Sequence, residues 1–562
     1  MDNPAVAQIF RETGWMLELR DGASDNSRAY ERARQVLLNT SEHLADEAKW
    51  PESVRGLSDE IREDLRLLIK EGRSTTHDEL RAAHPPGLFE LLQLPDFNAP
   101  RVHRLRDKLG IESVEDLENA CHEGKIRELA EYDESTENRM LDGITFWRSN
   151  ADRHHLHIAW VKANPILAEF RNLPGVIRCS ATGCLRRWTE TVPGISILVS
   201  AMDTAAVLDY FATRKDVMKV TSRDETTVNV VLRGGLRATL RVVSDRMFPF
   251  ALAKFTGSQE HYDSLCRRAL ARGMRLNEFG LYRSVEETSD PKLRVNCLGE
   301  EDLYQKLGLD FIPPELRENE GEFEAAAEHH LPPLVEWTGL RGSLHNHSNW
   351  SDGRQTLEEM ASNAYDMGCS YWAVTDHSVN CFSGKGIDVK KVIAQINDIE
   401  LVNQRYQDAE RPFRLLSGIE VDIKAGGVLD FENEILAQLD VVVASVHQSL
   451  GASEIEMTRR FIAAAENRQV QILGHLSGRL LLQREACKVD HKAVIDACAA
   501  TGTWIELNAS PWRLDMDWRH WRYAREQGVK CVVNANAHRA EHGQYLRFGA
   551  HLARKGWLTK YD

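Results

Sequence analysis

FRLLSGIE at 413–420 and VVVASVH at 441–447 decide the reading of the carboxy-terminal half, because each is a short apolar run that ends in a metal-binding side chain, Glu420 and His447. Four further runs share the pattern. LRGSLHNH (340–347) delivers His345 and His347, YWAVTDH (371–377) delivers His377, VQILGH (470–475) delivers His475, and CVVNANAH (531–538) ends in Asn536 and His538. After residue 335 the rhythm of apolar run and helix repeats, which predicts parallel strands in a β/α barrel or doubly wound sheet. Active sites of β/α barrels lie at the carboxy-terminal ends of their strands, so these side chains are expected to converge. With 21 histidines in 562 residues, one HxH pair is expected by chance, and it is the recurrence that carries the reading. Asp352, in NWSDGR (349–354), adds an oxygen ligand. Such a supply of nitrogen and oxygen donors suits two or three divalent ions, zinc or manganese, and metal-assisted phosphoester hydrolysis. Arg479, in GHLSGR (474–479), is a candidate to hold a nonbridging phosphate oxygen.

The rest of the chain divides by composition. A length of 562 residues exceeds what one core supports, so two to four domains are expected. Residues 1–150 carry a balance of -11 and alternate helical patterns, as in LSDEIREDLRLLIKEG, which predicts an all-helical module. Residues 151–300 carry +6, and period-two runs such as SILVSA and ATLRVV predict an α+β sheet domain over 151–245, followed by a small mixed extension over 246–315. ENEGEFEAAAEHHLPPL reads as a solvated linker over 316–335, leaving 336–562 for the α/β domain. Net charge is -15, so nucleic-acid contact has to be local. Ten scattered cysteines without a CxxC pair argue for reduced thiols. No apolar stretch is long enough to span a membrane and MDNPAVAQIF is unlike a signal peptide, so a cytoplasmic protein is expected.

RGSLHNHSNWSDGR, AVTDHS, GIEVDI, ASVH, GHLSGR, IELNASPWRLDMDWRHWRYAREQGVK and NANAH together resemble the PHP phosphoesterase domain of bacterial family X DNA polymerases. Upstream, the chain resembles the remainder of that architecture. A helix-hairpin-helix module is followed by a nucleotidyltransferase-like palm (GCLRRWTETVPGISILV, GLRATLRVV) and a thumb (FTGSQEH, NEFGLY). The resemblance implies a distorted β/α barrel for the PHP domain. It implies catalytic and metal-ligand roles for His345, His347, Asp352, His377, Glu420, His447, His475 and His538, with Asn536 where the family has Asp. Ser343 replaces a family acidic residue just before the HxH pair. It also implies metal-dependent 3′ to 5′ exonuclease or 3′-end processing activity.

Departures from the family concentrate upstream. The three palm carboxylates that hold the metals of nucleotidyl transfer correspond to Gly194, Ser196 and Thr239, none of which supplies an anionic oxygen. Polymerase activity is therefore expected to be absent. The triphosphate-binding stretch retains Arg186 and Arg187 beside Gly183-Cys184, and these arginines are candidate substrate-binding residues. The family's PGxG hairpins read Pro51-Glu52-Ser53-Val54, Pro95-Asp96-Phe97-Asn98 and Ala130-Glu131-Tyr132-Asp133, so hairpin-mediated duplex binding is expected to be weakened. Three readings follow: a phosphoesterase acting on DNA 3′ ends, a phosphatase of small phosphate esters, and a non-catalytic, metal-stabilised scaffold with a protein partner.

Overall fold

The computed structural model describes residues 3–22, 24–38, 44, 50–286, 290–379 and 384–562. Contacts divide the chain into two compact units, Met1–Asp152 with the turn Arg233–Gly235, and Arg153–Leu232 with Leu236–Asp562.

All described secondary structure of residues 3–152 is helical. Helix Asp59–Glu71 shows why: Ser58 accepts the Ile61 amide at its start, Ile61, Leu65 and Leu68 fall on one buried face, and Gly72 ends it at φ 77°. One core gathers around Phe10, Tyr30 and Leu65, a second around Leu88, Leu105 and Leu117. The hairpin segments are occupied by their own side chains. Asn98 accepts the Arg101 amide at 2.9 Å and Asp133 accepts the Thr136 amide at 2.8 Å, each capping the helix that follows. Asp96 holds φ 62°, a conformation that glycine adopts without steric cost. Pro51 occupies the position before the short helix Glu52–Arg55 and makes no side-chain cap.

The second unit opens with a five-stranded sheet in the order Val176–Ala181, Ile195–Ala201, Arg237–Val243, Thr227–Leu232, Val217–Arg223. Its central pair is parallel and sets Ser196 directly beside Thr239. Helices Leu156–Arg171 and Thr204–Ala212 cover one face through Phe170, Leu208 and Phe211. Helices Phe248–Thr256 and Gln259–Ala271 and a small three-stranded sheet then build a separate core around Leu265, Tyr304 and Ile312.

Residues 316–335, expected to be a solvated linker, are packed in part. Arg317 and Glu322 are fully buried, and Phe323 and Ala326 join the preceding core. Their acidic neighbours have cationic or imidazole partners far away in sequence: Glu315 with Arg554 and His551, Glu318 with Arg187 and Lys555, Glu322 with His261. A local count of charges is blind to such pairing.

Beyond residue 335, seven parallel strands follow one another in sheet order: β1 (Gly342–Ser343), β2 (Tyr371–Val374), β3 (Arg414–Asp422), β4 (Val441–Ser445), β5 (Ile472–Leu473), β6 (Trp504–Asn508) and β7 (Cys531–Asn534). The sheet curls into a nearly closed barrel, since Asn346 bridges Ala537 and the Leu344 amide donates to Asn534 Oδ1 at 2.7 Å. Every residue of β4 is buried, as expected for a strand with helices outside and side chains filling the barrel within. Helices Leu357–Asp366, Val389–Asp408, Glu454–Ala465 and His491–Thr501 cover the outside. No described helix is long and apolar enough to cross a membrane. The nine described cysteines are free, and Cys381 lies outside the described residues.

Candidate metal centre

The carboxy-terminal ends of the barrel strands bring the histidines together around one carboxylate. Glu420, buried on β3, lies 3.3 Å from His345, 3.6 Å from His347, 2.9 Å from His377, 3.3 Å from His447 and 2.9 Å from His475. Among the described residues, three groups have ligand atoms close enough to share an ion: His347, Asp352, His377 and His538; His345, His347 and Glu420; His377, Glu420 and His447. His475 joins through Glu420, and Asn536 places Oδ1 3.1 Å from His347 Nε2. Asn536 does so from φ 47°, in the left-handed region that Asn and Asp tolerate better than most residues.

The donors fit divalent cations. His345 Nε2, His347 Nδ1, His377 Nδ1, Glu420 Oε2 and His475 Nδ1 are buried without a hydrogen-bond partner. Four of these residues, His345, His347, His377 and Glu420, belong to the groups that could share an ion, and leaving such atoms unsatisfied is costly unless a cation collects their lone pairs. Nitrogen and carboxylate donors in this mixture suit zinc or manganese.

A surrounding shell orients the rings, and sequence reasoning missed it. Glu506, on β6, accepts His345 Nδ1–H at 2.6 Å and turns Nε2 toward the centre. Asp422, two residues beyond Glu420 on β3, does the same for His447 at 2.9 Å. Asp376 accepts from Ser348 N at 2.8 Å and from Gln395 at 2.6 Å, pinning the loop between His347 and Asp352. The available signal was an acid inside an apolar strand, as in IELN. Ser343 accepts the Ala535 amide at 3.0 Å and donates to Asn346 Oδ1 at 3.1 Å.

Electrostatics follow from this crowding. Burial opposes charge on His345, but Glu506 and Glu420 outweigh it and push the imidazole up to about 10. Likewise Glu420 and Asp422 overcome burial and raise His447 to about 9. Burial, with His538 and His377 nearby, holds His347 well below the usual range. Burial and Arg513 lower His475 to about 4. Despite burial, the imidazoles around Glu420 hold its carboxyl well below the usual range. Burial thus favours the neutral form of His347 and His475, whereas the carboxylates favour positive charge at His345 and His447, where a cation would take the place of the proton.

The three arginines expected to meet substrate are engaged elsewhere. Arg479 donates to Arg513 O at 2.9 Å and Asp517 at 3.2 Å, and also to Leu514 O, locking the loop after β6. Arg186 donates to Thr256 and Glu300, and Arg187 to Glu318 and Thr256 O. Their planar forks are directed at internal acceptors, so they fasten structure together. In the five-stranded sheet, Thr239 donates to Asn229 at 2.6 Å, and a Cβ at Gly194 would lie 2.5 Å from the Arg237 carbonyl oxygen. At Gly194, one of the three positions where the resemblance places a carboxylate, the backbone leaves no room for a side chain.

Comparison with known proteins agrees with this layout. Residues 251–318 match the DNA polymerase beta thumb family and residues 343–510 the PHP domain family. The DNA polymerase/3′-5′ exonuclease PolX of Bacillus subtilis (strain 168) is 32% identical over 559 residues, 99% of this chain and 96% of that protein. A probable phosphatase of Thermoanaerobacter sp. (strain X514) is 28% identical over 193 residues, 33% of this chain and 72% of its own. A ternary P/T complex of Leishmania infantum polymerase beta aligns with TM-score 0.28 and 18% identity over 41% of this chain and 98% of its own. A thumb, a PHP domain and near end-to-end similarity to the Bacillus protein place this chain in the bacterial PolX family.

Proposed function

We propose that this protein is a metal-dependent phosphoesterase that processes DNA 3′ ends at its PHP centre, and that its palm does not incorporate nucleotides. The observation that carries the reading is a contrast within one chain. The PHP donors converge with buried, unpartnered ligand atoms, whereas the palm positions are Gly194, Ser196 and Thr239. The Bacillus relative is named both polymerase and 3′-5′ exonuclease, and the second of these is the activity we assign to the metal centre.

His345, His347, Asp352, His377, Glu420, His447, His475, Asn536 and His538 would hold two or three ions, zinc or manganese. Bound divalent cations supply Lewis acidity toward a phosphoryl oxygen and bring the pKa of water near neutrality. Glu420 belongs to two of the three groups and could serve both. Glu506 and Asp422 hold His345 and His447 in one tautomer. The asparagine at 536 provides a neutral oxygen in place of an anionic one and weakens one subsite. Hairpin caps at Asn98 and Asp133 occupy amides that would otherwise meet DNA phosphates, favouring single-stranded ends over duplex.

The test is release of the terminal nucleotide from 3′-labelled single-stranded oligonucleotides with added manganese, alongside primer extension on a gapped duplex. Release without extension is expected; no turnover with metal bound rejects the reading. Hydrolysis confined to a small phosphate ester would favour the second reading, which similarity to the Thermoanaerobacter phosphatase supports. Metal-dependent melting without any turnover would leave a scaffold with a protein partner. We assign the protein to the cytoplasm.

A further inference from the structure

Arg513 stands apart from the other arginines around the barrel. It lies in the loop that follows β6, and its Nη1 is buried without a hydrogen-bond partner. Among the described residues no carboxylate forms an ion pair with it. The acids nearby are spent: both Asp515 oxygens accept the Ser477 amide at 3.1 Å, and Glu506 accepts from His345, His475, Asn508 and Asn534. Burial outweighs the attraction of Asp515, Glu420 and Glu506 and draws the guanidinium below the usual arginine value. Arginine stays charged regardless, so a half-buried guanidinium whose Nη1 is enclosed without a partner is a site for an anion.

The surroundings indicate which anion. Arg513 lines a cleft of about 280 Å³ together with Ser510, Trp512, Asn536, His538 and Tyr545, so the cleft opens onto the cation-binding groups. Trp512 is 38% exposed, yet its ring is held. His155 and His157, at the amino-terminal edge of the palm, pack edge-on against it at 4.5 and 4.7 Å. A flat aromatic surface beside a free guanidinium and a divalent-cation centre matches one end of a nucleic acid strand: phosphate in the fork, base on the ring.

We propose that Arg513 grips the nonbridging oxygens of the phosphate being hydrolysed, and that Trp512, braced by His155 and His157 of the palm, is the shelf for the adjoining base. The assignment rests on the phosphoesterase reading for its reaction, while the anion site stands on geometry alone. It gives the palm a role that requires none of the lost carboxylates, as the rear wall of the PHP cleft.

The experiment uses the full chain loaded with manganese. Inorganic phosphate binding is measured by calorimetry, metal content by elemental analysis, and turnover on a single-stranded oligonucleotide and on an aryl phosphate. Arg513→Gln should keep its metal, bind phosphate at least tenfold more weakly and lose about a hundredfold in kcat/KM on both substrates; Arg513→Lys should fall between, since a point charge replaces a fork. Trp512→Leu should raise KM for the oligonucleotide alone. Phosphate affinity and turnover unchanged in Arg513→Gln would overturn the grip, as would loss of the metal along with them or a wild-type protein that binds no phosphate. An unchanged oligonucleotide KM in Trp512→Leu would overturn the shelf. If the wild type binds phosphate through Arg513 yet hydrolyses nothing, the anion site stands and the phosphoesterase reading falls.

Discussion

Replacing Glu506 by glutamine changes one atom in a fully buried site, and the structure shows how the change would propagate. Oε1 accepts His345 Nδ1 at 2.6 Å and Asn534 Nδ2 at 3.0 Å; Oε2 accepts the His475 amide at 2.7 Å and Asn508 Nδ2 at 3.1 Å. All four partners are donors, so an amide nitrogen on either side faces two donors. Asn508 and Asn534 cannot flip freely, because their oxygens already accept the Ser510 and Leu344 amides at 3.1 and 2.7 Å. The His475 amide belongs to the backbone. The least costly adjustment is for His345 to exchange tautomers, accepting at Nδ1 and carrying its proton on Nε2, the atom that faces Glu420 at 3.3 Å. That proton blocks a cation ligand. Loss of a charge-assisted bond of this kind costs about 1.5–3 kcal/mol, which is roughly a 10- to 100-fold loss of metal affinity. Competition with a chromophoric chelator measures the affinity, and imidazole nitrogen shifts report the tautomer. An E506Q protein that binds metal within a factor of about three of the wild type, with Nδ1 of His345 still protonated, would refute this account of the shell.

Asn536→Asp adds an anionic oxygen at a position whose φ of 47° aspartate also tolerates, so metal occupancy and oligonucleotide hydrolysis should both rise, by about tenfold if this residue limits the weakest subsite. Unchanged metal content would show that residue 536 is not a ligand. The triple change Gly194→Asp, Ser196→Asp, Thr239→Asp should not restore primer extension, because the new Cβ at 194 would collide with the Arg237 carbonyl at 2.5 Å; measurable incorporation would disprove the steric argument. Burial works against charge on Glu300, yet Arg317 and Arg186 prevail and hold it at about 2, below its ordinary value of 4.5. A depressed folded value means that the stabilisation, roughly 3 kcal/mol, is complete above pH 4.5 and is lost as pH falls toward 2. Glu315, held at about 2 by His551 and Arg554 against burial, adds to the same window. Thermal melts between pH 7 and pH 3 should show this loss, and Glu300→Gln should melt lower at pH 7 with a shallower acid dependence.

The barrel was legible because its signal is local. An apolar run followed at once by His or Glu occupies under ten residues, and the strand both supplies the ligand and aims it. His345, His377, Glu420, His447 and His475 could be found without any knowledge of contacts. What escaped the sequence is pairing across distance. Glu506 is 161 residues from His345, and Glu318 is 237 residues from Lys555; an acidic run is a solvated segment or a buried network depending on partners that no window contains. Arginines are misread for a related reason. Arg479 sits beside His475 in sequence but spends its fork on Arg513 O, Leu514 O, Asp517 and Glu190. By holding those carbonyls it fixes the very loop from which the Arg513 side chain turns inward, unpaired, beside the histidines. Position along the chain singles out the first arginine, whereas the balance of donors and acceptors singles out the second. The same balance accounts for the palm residues around the cleft: His155 and His157 need no conserved chemistry to hold Trp512 in place, only a scaffold rigid enough to keep them there, and the five-stranded sheet supplies that with or without its carboxylates.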